Sequence, residues 1–165
     1  MKKQSKSRQI IYDAVIKCLN ESFGNDSEII FNEDNLEDEI NINICKDGVE
    51  LGYAILIPHK TISSLYSEIA DTDSYEMAED VTFELNRNKQ IIEIADIDVN
   101  KKYRNSGVSK KLIEYILEKF KDYQFYVRVC PTGSVDEYTF RNTFSRYGFI
   151  FIGRNDENGT FMVKK

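Results

Sequence analysis

The chain has 165 residues, of which 41% are hydrophobic and 30% charged, a composition typical of one folded domain and unlike that of a disordered segment. Its formal net charge of −6 argues against a protein that coats nucleic acid, because such proteins usually carry a basic excess. No stretch approaches the roughly 20 apolar residues of a membrane span. An acidic residue also interrupts the apolar run that follows the lysine-rich start, so neither a membrane anchor nor a secretory signal is expected.

The cysteine and histidine content indicates neither a disulfide framework nor a metal site. Cys18, Cys45 and Cys130 are odd in number and lack C-x-x-C spacing, and His59 is the one histidine available to join them. A reducing cytoplasm is the expected location. Nothing in the pattern assigns a role to His59, because a lone histidine is more often a surface or hydrogen-bonded residue than a catalytic one.

The two parts of the chain carry opposite charge. Residues 1–99 contain 9 basic and 21 acidic residues, a net −12, whereas residues 100–165 contain 13 basic and 7 acidic residues, a net +6. The first part suits a cationic ligand and the second an anionic one. The alternative is that both charged regions are solvated surfaces whose charge affects only solubility.

The first half of the chain predicts a helix followed by short strands, within a single domain that spans residues 1–165. Apolar residues recur at helical spacing over residues 7–22, and residues 28–31 are a strand candidate. The acidic run NEDNLEDE, residues 32–39, is typical of a solvated loop or a short helix.

The run ININICKDGVELGYAILIP predicts a hairpin, with strands at residues 40–45 and 49–57 joined by Asp47-Gly48. Pro58 is predicted to end the second strand, because proline cannot donate to a ladder. Residues 60–80 carry apolar residues at helical spacing and predict a helix or an ordered insertion.

The second half alternates strands and helices. Gly148 is predicted to end the last helix, as glycine commonly does. The predicted elements are strands at 81–85 and 90–99, a helix that ends near Tyr123, a strand at 124–129, a helix at 136–147, and closing strands in FIFIGR and GTFMVKK.

The turn YRNSGVSKKL, residues 103–112, precedes an amphipathic helix and predicts an anion site. Backbone N–H groups at a helix start lack intrahelical partners and carry partial positive charge. Gly107 has no Cβ to block phosphate oxygens, Ser109 is small, and Arg104 adds charged donors. A capped turn without a ligand is the alternative. Neither G-x-x-x-x-G-K-[ST] nor G-x-G-x-x-G is present, so ATP and dinucleotide sites lose their main support.

The order strand, V-x-x-x-Y-R-x-x-G-x-S, helix, strand, helix, G-F, strand resembles the second half of the GNAT superfamily of acetyl-CoA-dependent N-acetyltransferases. The likeness runs from about Ile91 to Lys165, with Ile97-Asp98-Val99 before the turn and Tyr147-Gly148-Phe149 at the G-F landmark. The first 90 residues match only as a loose order of strands and helices. Serine at position 109 replaces the family's usual glycine or alanine.

The resemblance implies the α/β class and a GNAT-like acyl-CoA N-acyltransferase fold, with a central, mostly antiparallel mixed sheet and helices on both faces. It implies acetyl-CoA as cosubstrate, with backbone groups of Ile97 and Val99 on the acetyl-pantetheine arm. The diphosphate would lie on the residues of the turn, which are Arg104, Asn105, Ser106, Gly107, Val108 and Ser109.

Acetyl transfer to an amine requires a proton acceptor for the amine and a proton for the departing thiolate. Glu93 is the first candidate base and Asp96 the second, and solvated carboxylates on a strand are the alternative. Many family members have a tyrosine four residues before the G-F glycine, where this chain has Phe144. Tyr138 or Tyr147 is the candidate substitute; otherwise the thiolate leaves unaided or efficient chemistry is lost.

The predicted function is transfer of an acetyl group from acetyl-CoA to a primary amine of a small molecule or peptide. The acidic excess of residues 1–99 would suit a cationic acceptor. The alternatives are a non-catalytic module that binds acyl-CoA or a protein, and a domain whose glycine turn binds nothing.

Overall fold

The computed structural model describes residues 29–36, 38–129, 137–155 and 159–165. Within these residues seven strands form one sheet in the order β1-β2-β3-β4-β5-β7-β6. The strands are β1 (Ile29–Asn35), β2 (Ile40–Lys46), β3 (Val49–His59), β4 (Ile91–Val99), β5 (Gln124–Val129), β6 (Ile150–Asn155) and β7 (Gly159–Lys164). The helices are α1 (Ile62–Thr72), α2 (Tyr75–Phe83), α3 (Val108–Lys119) and α4 (Glu137–Arg146), with a 3₁₀ turn at Lys101–Tyr103.

The sheet is mixed, as the sequence predicts. Strands β4 and β5 are parallel, with Glu93 opposite Tyr126. Strand β7 runs antiparallel to both β5 and β6, and a register shift interrupts the β6 ladder between Phe151 and Gly153. Helices connect the parallel pair because parallel strands need a long crossover. The α/β class is therefore confirmed.

The described residues fall into two compact units, to both of which β3 and β4 contribute. The first contains residues 29–35, 41–54 and 97–119. Here α3 buries Leu112 and Ile116, while the rings of Phe31 and Tyr115 stack with centroids 4.0 Å apart. The Tyr115 hydroxyl donates to Glu33, which also pairs with Lys119.

The second unit contains residues 36, 38–40, 55–96, 120–129, 137–155 and 159–165. Each of its first two helices begins at a capping hydroxyl: Thr61 Oγ1 accepts from the Ser64 N–H at 3.2 Å, and Ser74 Oγ from the Met77 N–H at 3.1 Å. The buried core of this unit consists of Leu65, Ile69, Ala78, Val81, Leu85, Ile91, Tyr126, Phe161 and Val163.

The hairpin prediction is confirmed. Asp47 and Gly48 join β2 to β3 with φ of 52° and 74°, the left-handed pair that a two-residue hairpin turn requires. The predictions for α1, β4, β5, α4 and the closing strands agree with the structure, and Gly148 ends α4 at φ 83°. The helix predicted at residues 7–22 and the residue Cys130 lie outside the described residues.

Several local predictions were wrong. Residues 81–85 are not a strand, because α2 extends to Phe83 and buries Ala78 and Val81 on one face. Residues 32–35 of the acidic run continue β1 with exposed side chains instead of forming a loop. Strand β3 continues past Pro58 to His59, and α3 ends at Lys119, before Tyr123. In the described part of the chain, no helix has the length and hydropathy needed to cross a bilayer.

Candidate active site

The turn between β4 and α3 is held to the end of β4 by Arg104. Its Nε donates to the Val99 carbonyl at 3.1 Å, and Nη2 lies 3.4 Å from Asp98 Oδ1. Asn100 adds a second anchor, because its N–H donates to the Leu51 carbonyl at 2.9 Å. The position of the turn is therefore fixed by hydrogen bonds to β3 and β4.

The backbone of this turn is left-handed at Asn105 and Gly107, with φ of 63° and 86°. A Cβ at Gly107 would meet no heavy atom within 4 Å outside its chain neighbours, so the space beside the glycine is open. The first hydrogen bond of α3 runs from the Lys111 N–H to the Gly107 carbonyl at 3.1 Å. The N–H groups of Val108, Ser109 and Lys110 precede that bond and point out of the helix start.

Gly52 is part of the same region, and the sequence analysis did not identify it. A Cβ at this position on β3 would lie 2.6 Å from the Asp98 carbonyl oxygen, 3.2 Å from Val99 Cα and 3.3 Å from Val108 Cγ1. Only a residue without a side chain permits this close approach. Nothing in the local pattern around Gly52 indicates the contact, because its partners lie far along the chain.

Glu93 forms a buried cluster with two residues that the sequence analysis did not group with it. Its Oε2 lies 2.9 Å from Nε2 of His59, at the end of β3, and that same nitrogen lies 3.7 Å from Oε2 of Glu68 on α1. The side chains of His59 and Glu93 are buried, whereas that of Glu68 is 38% exposed. We call His59, Glu68 and Glu93 the Glu93 cluster.

Burial and neighbouring charge alter the pKa values of Glu68 and of Tyr126. The pKa of Glu68 is raised, chiefly by burial and then by the negative charge of Glu93, while His59 and Arg128 oppose the change. The pKa of Tyr126, opposite Glu93 on β5, is also raised, by burial first and then by Glu93, so its hydroxyl keeps its proton.

The donor atoms of the cluster lie within 4.8 Å of one another, and an imidazole with two carboxylates is a set that zinc accepts. The 2.9 Å contact, however, has the length of a hydrogen bond from His59 to Glu93. The nitrogen that a metal ion would need already has a proton-sharing partner. We therefore interpret the cluster as a hydrogen-bonded network.

The sequence model of the Acetyltransferase (GNAT) family matches residues 9–149. The chain belongs to this family. The GNAT resemblance of the second half of the sequence is thereby confirmed, and the match extends into the first half, where the sequence analysis found only a loose order of elements.

Two solved structures with TM-scores of 0.50 or more share the fold of this chain. Arabidopsis thaliana NAA60 in complex with acetyl-CoA aligns with a TM-score of 0.51 at 16% identity, over 79% of this chain and 76% of that one. An acetyltransferase from Thermus thermophilus aligns with a TM-score of 0.50 at 9% identity, over 78% of this chain and 64% of that one. An acetoin utilization protein from Exiguobacterium sibiricum aligns with a TM-score of 0.48 at 20% identity, over 78% of this chain and 61% of that one. The chain thus spans less than two thirds of the last two. A comparison with curated protein sequences found no match.

The other site residues predicted for this GNAT chain differ in their surroundings. Asp96 is exposed and lies on the opposite side of β4 from Glu93, because side chains alternate along a strand. Ile97 is half-buried and Val99 is buried. Tyr138, on α4, is 72% exposed.

Phe144 has a structural role that explains the absence of a tyrosine hydroxyl. It is fully buried, with its ring centroid 5.0 Å from that of Phe149 in an edge-on arrangement and 6.3 Å from that of Phe140. A hydroxyl at such a site would need a hydrogen-bond partner. Phe140 and Phe144 on α4 therefore serve packing.

Proposed function

We propose that this GNAT-family protein transfers an acetyl group from acetyl-CoA to a primary amine of a small molecule or peptide. The observation that carries the proposal is the open, left-handed backbone at Gly107, next to the first amides of a helix and to the anchored guanidinium of Arg104. Family membership supports the reaction class.

The diphosphate of the cofactor would lie against the first turn of α3. The amides of Val108 and Ser109 are directed there by the helix, and the positive end of the helix dipole favours an anion. Asn105 and Ser106 complete the loop, with the Ser106 hydroxyl donating to the Tyr103 carbonyl. Lys110 and Lys111 add positive charge, partly balanced by Glu114.

The acetyl-pantetheine arm would run beside the end of β4, where Ile97 and Val99 offer backbone groups. The Val99 carbonyl already accepts from Arg104, and a carbonyl oxygen has a second lone pair. The guanidinium would thereby connect the strand that binds the arm to the turn that binds the diphosphate.

Glu93 is the proposed base. It takes a proton from the ammonium group of the acceptor, directly or through one water molecule, and the freed amine attacks the thioester carbonyl. The C–N bond forms, the C–S bond breaks, and the thiolate of coenzyme A leaves. Asp96 is the second candidate base, and its side chain is exposed.

Tyr138 is the proposed proton donor to the thiolate. Its exposed side chain is accessible to a ligand, whereas Phe144 is enclosed in the core and has no hydroxyl. A thiol with a pKa near 8.5 is a good leaving group, so we expect the help from Tyr138 to be modest. A cationic amine is the proposed acceptor, because residues 1–99 carry a net charge of −12.

The proposal is tested first by cofactor binding and then by turnover. Acetyl-CoA at about 100 times its Kd stabilises the native state by about 2.7 kcal/mol, which raises Tm by roughly 5 to 11 °C in a domain of this size. We then expect release of free thiol when polyamines, aminoglycosides or lysine peptides are added. An unchanged Tm with both acetyl-CoA and CoA would contradict the proposal.

A non-catalytic acyl-CoA-binding module is the second candidate, favoured by the burial of Phe144 at the position of the family's tyrosine. It predicts the same rise in Tm without thiol release. An acceptor panel that covers small amines and peptide N-termini separates the two functions.

A further inference from the structure

We propose that His59 and Glu68 form a path by which the proton that Glu93 takes from the acceptor amine leaves the buried site. The inference rests on the proposed function and concerns the same site. In it Glu93 is the catalytic residue, and His59 and Glu68 act through it as positioning and proton-transfer residues.

The geometry places one imidazole nitrogen between two carboxylates of different exposure. His59 Nε2 lies 2.9 Å from the buried Glu93 and 3.7 Å from Glu68, whose side chain is 38% exposed. A base with about 5% of its side chain exposed must release its proton after each turnover, yet it has little direct contact with solvent. Glu68 provides that contact.

The proton moves without any change in covalent bonds to carbon. Protonated Glu93 passes to Nε2 the proton that it gained from the amine, and Nε2 passes a proton to Glu68 Oε2 once their 3.7 Å separation shortens to hydrogen-bond length. Glu68 then releases that proton to water or buffer. Each turnover therefore returns Glu93 to its carboxylate form and His59 to its starting form.

The surroundings of the cluster favour transfer toward Glu68. The raised pKa of the Glu68 carboxyl makes it a better proton acceptor than an ordinary surface glutamate. Other ionisable groups that act on the cluster, within the described residues, are Tyr126 and Arg128 on β5, and Asp73 after α1 acts in turn on Tyr126. Tyr126 keeps its proton, so the imidazole and the two carboxylates are the groups that exchange protons.

The first test requires no acceptor. His59 is the sole histidine of the chain, so protein labelled with ¹⁵N-histidine and freed of any tag gives one Nε2 signal. In Glu68→Gln this signal should differ from that of the wild type, because the ring loses the carboxylate 3.7 Å from Nε2. The control Glu79→Gln, an exposed glutamate on α2, should leave it in place. An Nε2 signal that is identical in Glu68→Gln and wild type would overturn the path.

The second test uses turnover. His59→Gln keeps an N–H that can donate to Glu93 but cannot pass a proton on, so we expect kcat to fall about 10- to 100-fold with the KM for acetyl-CoA unchanged. The pH profile of kcat should change with it, and added imidazole should restore part of the rate to His59→Ala. Glu68→Gln should lose less, about 3- to 10-fold, and recover in concentrated buffer.

The outcomes separate this inference from the proposed function. Wild-type kcat and pH profile in His59→Gln would overturn the path and leave acetyl transfer intact. If the Nε2 signal responds to Glu68→Gln but no amine supports turnover, the proposed function is overturned and, with it, the catalytic use of the path. Stoichiometric binding of Zn²⁺ that His59→Gln abolishes, with activity lost to a chelator, would also overturn the path, because the metal would occupy Nε2.

Discussion

The β4–α3 turn is formed by residues that are neighbours in sequence, whereas the Glu93 cluster is assembled from β3, α1 and β4. In the turn, Arg104, Asn105 and Gly107 follow one another, and their spacing in the sequence already implies their geometry. In the cluster, His59 and Glu93 are 34 residues apart and meet because the fold brings them together. The comparison shows that a short motif can specify the backbone of a turn, whereas a side-chain network depends on tertiary packing.

The largest expected effect comes from closing the turn. Gly107→Glu adds a side chain and a negative charge in the open space at φ 86°, so we expect acetyl-CoA affinity to fall by more than about 100-fold, as blocked contacts and like charge both oppose phosphate. The measurement is isothermal titration or the shift of Tm with cofactor.

Gly48→Glu is the matched control for this change. Gly48 also has a positive φ, of 74°, and open space around its missing Cβ, so the backbone strain and the added charge are similar. Its affinity for acetyl-CoA should equal that of the wild type. Equal affinity in the Gly107 variant and in this control would show that the turn is not the binding site.

The next largest effect addresses the cluster. Glu93→Gln keeps the shape of the side chain and removes the base, so we expect kcat to fall about 100-fold or more while acetyl-CoA still binds. Asp96→Asn, on the exposed side of the same strand, should retain most of the activity. If Asp96→Asn lost more activity than Glu93→Gln in a thiol-release assay, Asp96 would be the base.

Gly52→Ala tests whether the turn also depends on tertiary contacts. The new Cβ would meet backbone atoms of Asp98 and Val99, and these atoms cannot shift without a large energetic cost. We therefore expect a loss of roughly 1–3 kcal/mol in the free energy of unfolding. Gly153→Ala is the control, because its Cβ would meet only the flexible end of Met77. Urea unfolding of both variants gives the comparison, and equal stabilities would contradict the packing argument.

A smaller effect is expected from Tyr138→Phe. The thiolate is a good leaving group, so loss of the hydroxyl should lower kcat by only about 2- to 10-fold in a thiol-release assay. A kcat equal to that of the wild type would mean that the thiolate departs without an enzymatic acid.

The smallest effect is on stability and follows from the raised pKa of Glu68. A carboxyl with a higher pKa in the folded state binds more protons there than when unfolded, so stability falls as the pH rises above 4.5 and through the folded value. Glu68→Gln removes this loss. Its Tm relative to the wild type should therefore be higher at pH 8 than at pH 4, and a constant difference would contradict the assigned shift.

Local chemistry accounts for the parts of the fold that the sequence predicts well. Asp47-Gly48 specifies a hairpin turn, and Gly148 ends a helix, because each needs a backbone conformation that few residues adopt. The segment at residues 81–85 was wrongly predicted as a strand because Val, Thr and Phe favour strands by themselves. Its helix is set by the Ser74 cap and by burial of Ala78 and Val81.

By itself, the sequence determined the order of most strands and helices, the position of the turn before α3 and the family resemblance, because these depend on contacts between residues close along the chain. Only the tertiary structure decided that Gly52 lies against the end of β4 and that His59 and Glu68 surround Glu93. Such contacts leave no mark in local spacing. They arise from strand pairing and helix packing, which act between segments that the sequence keeps far apart.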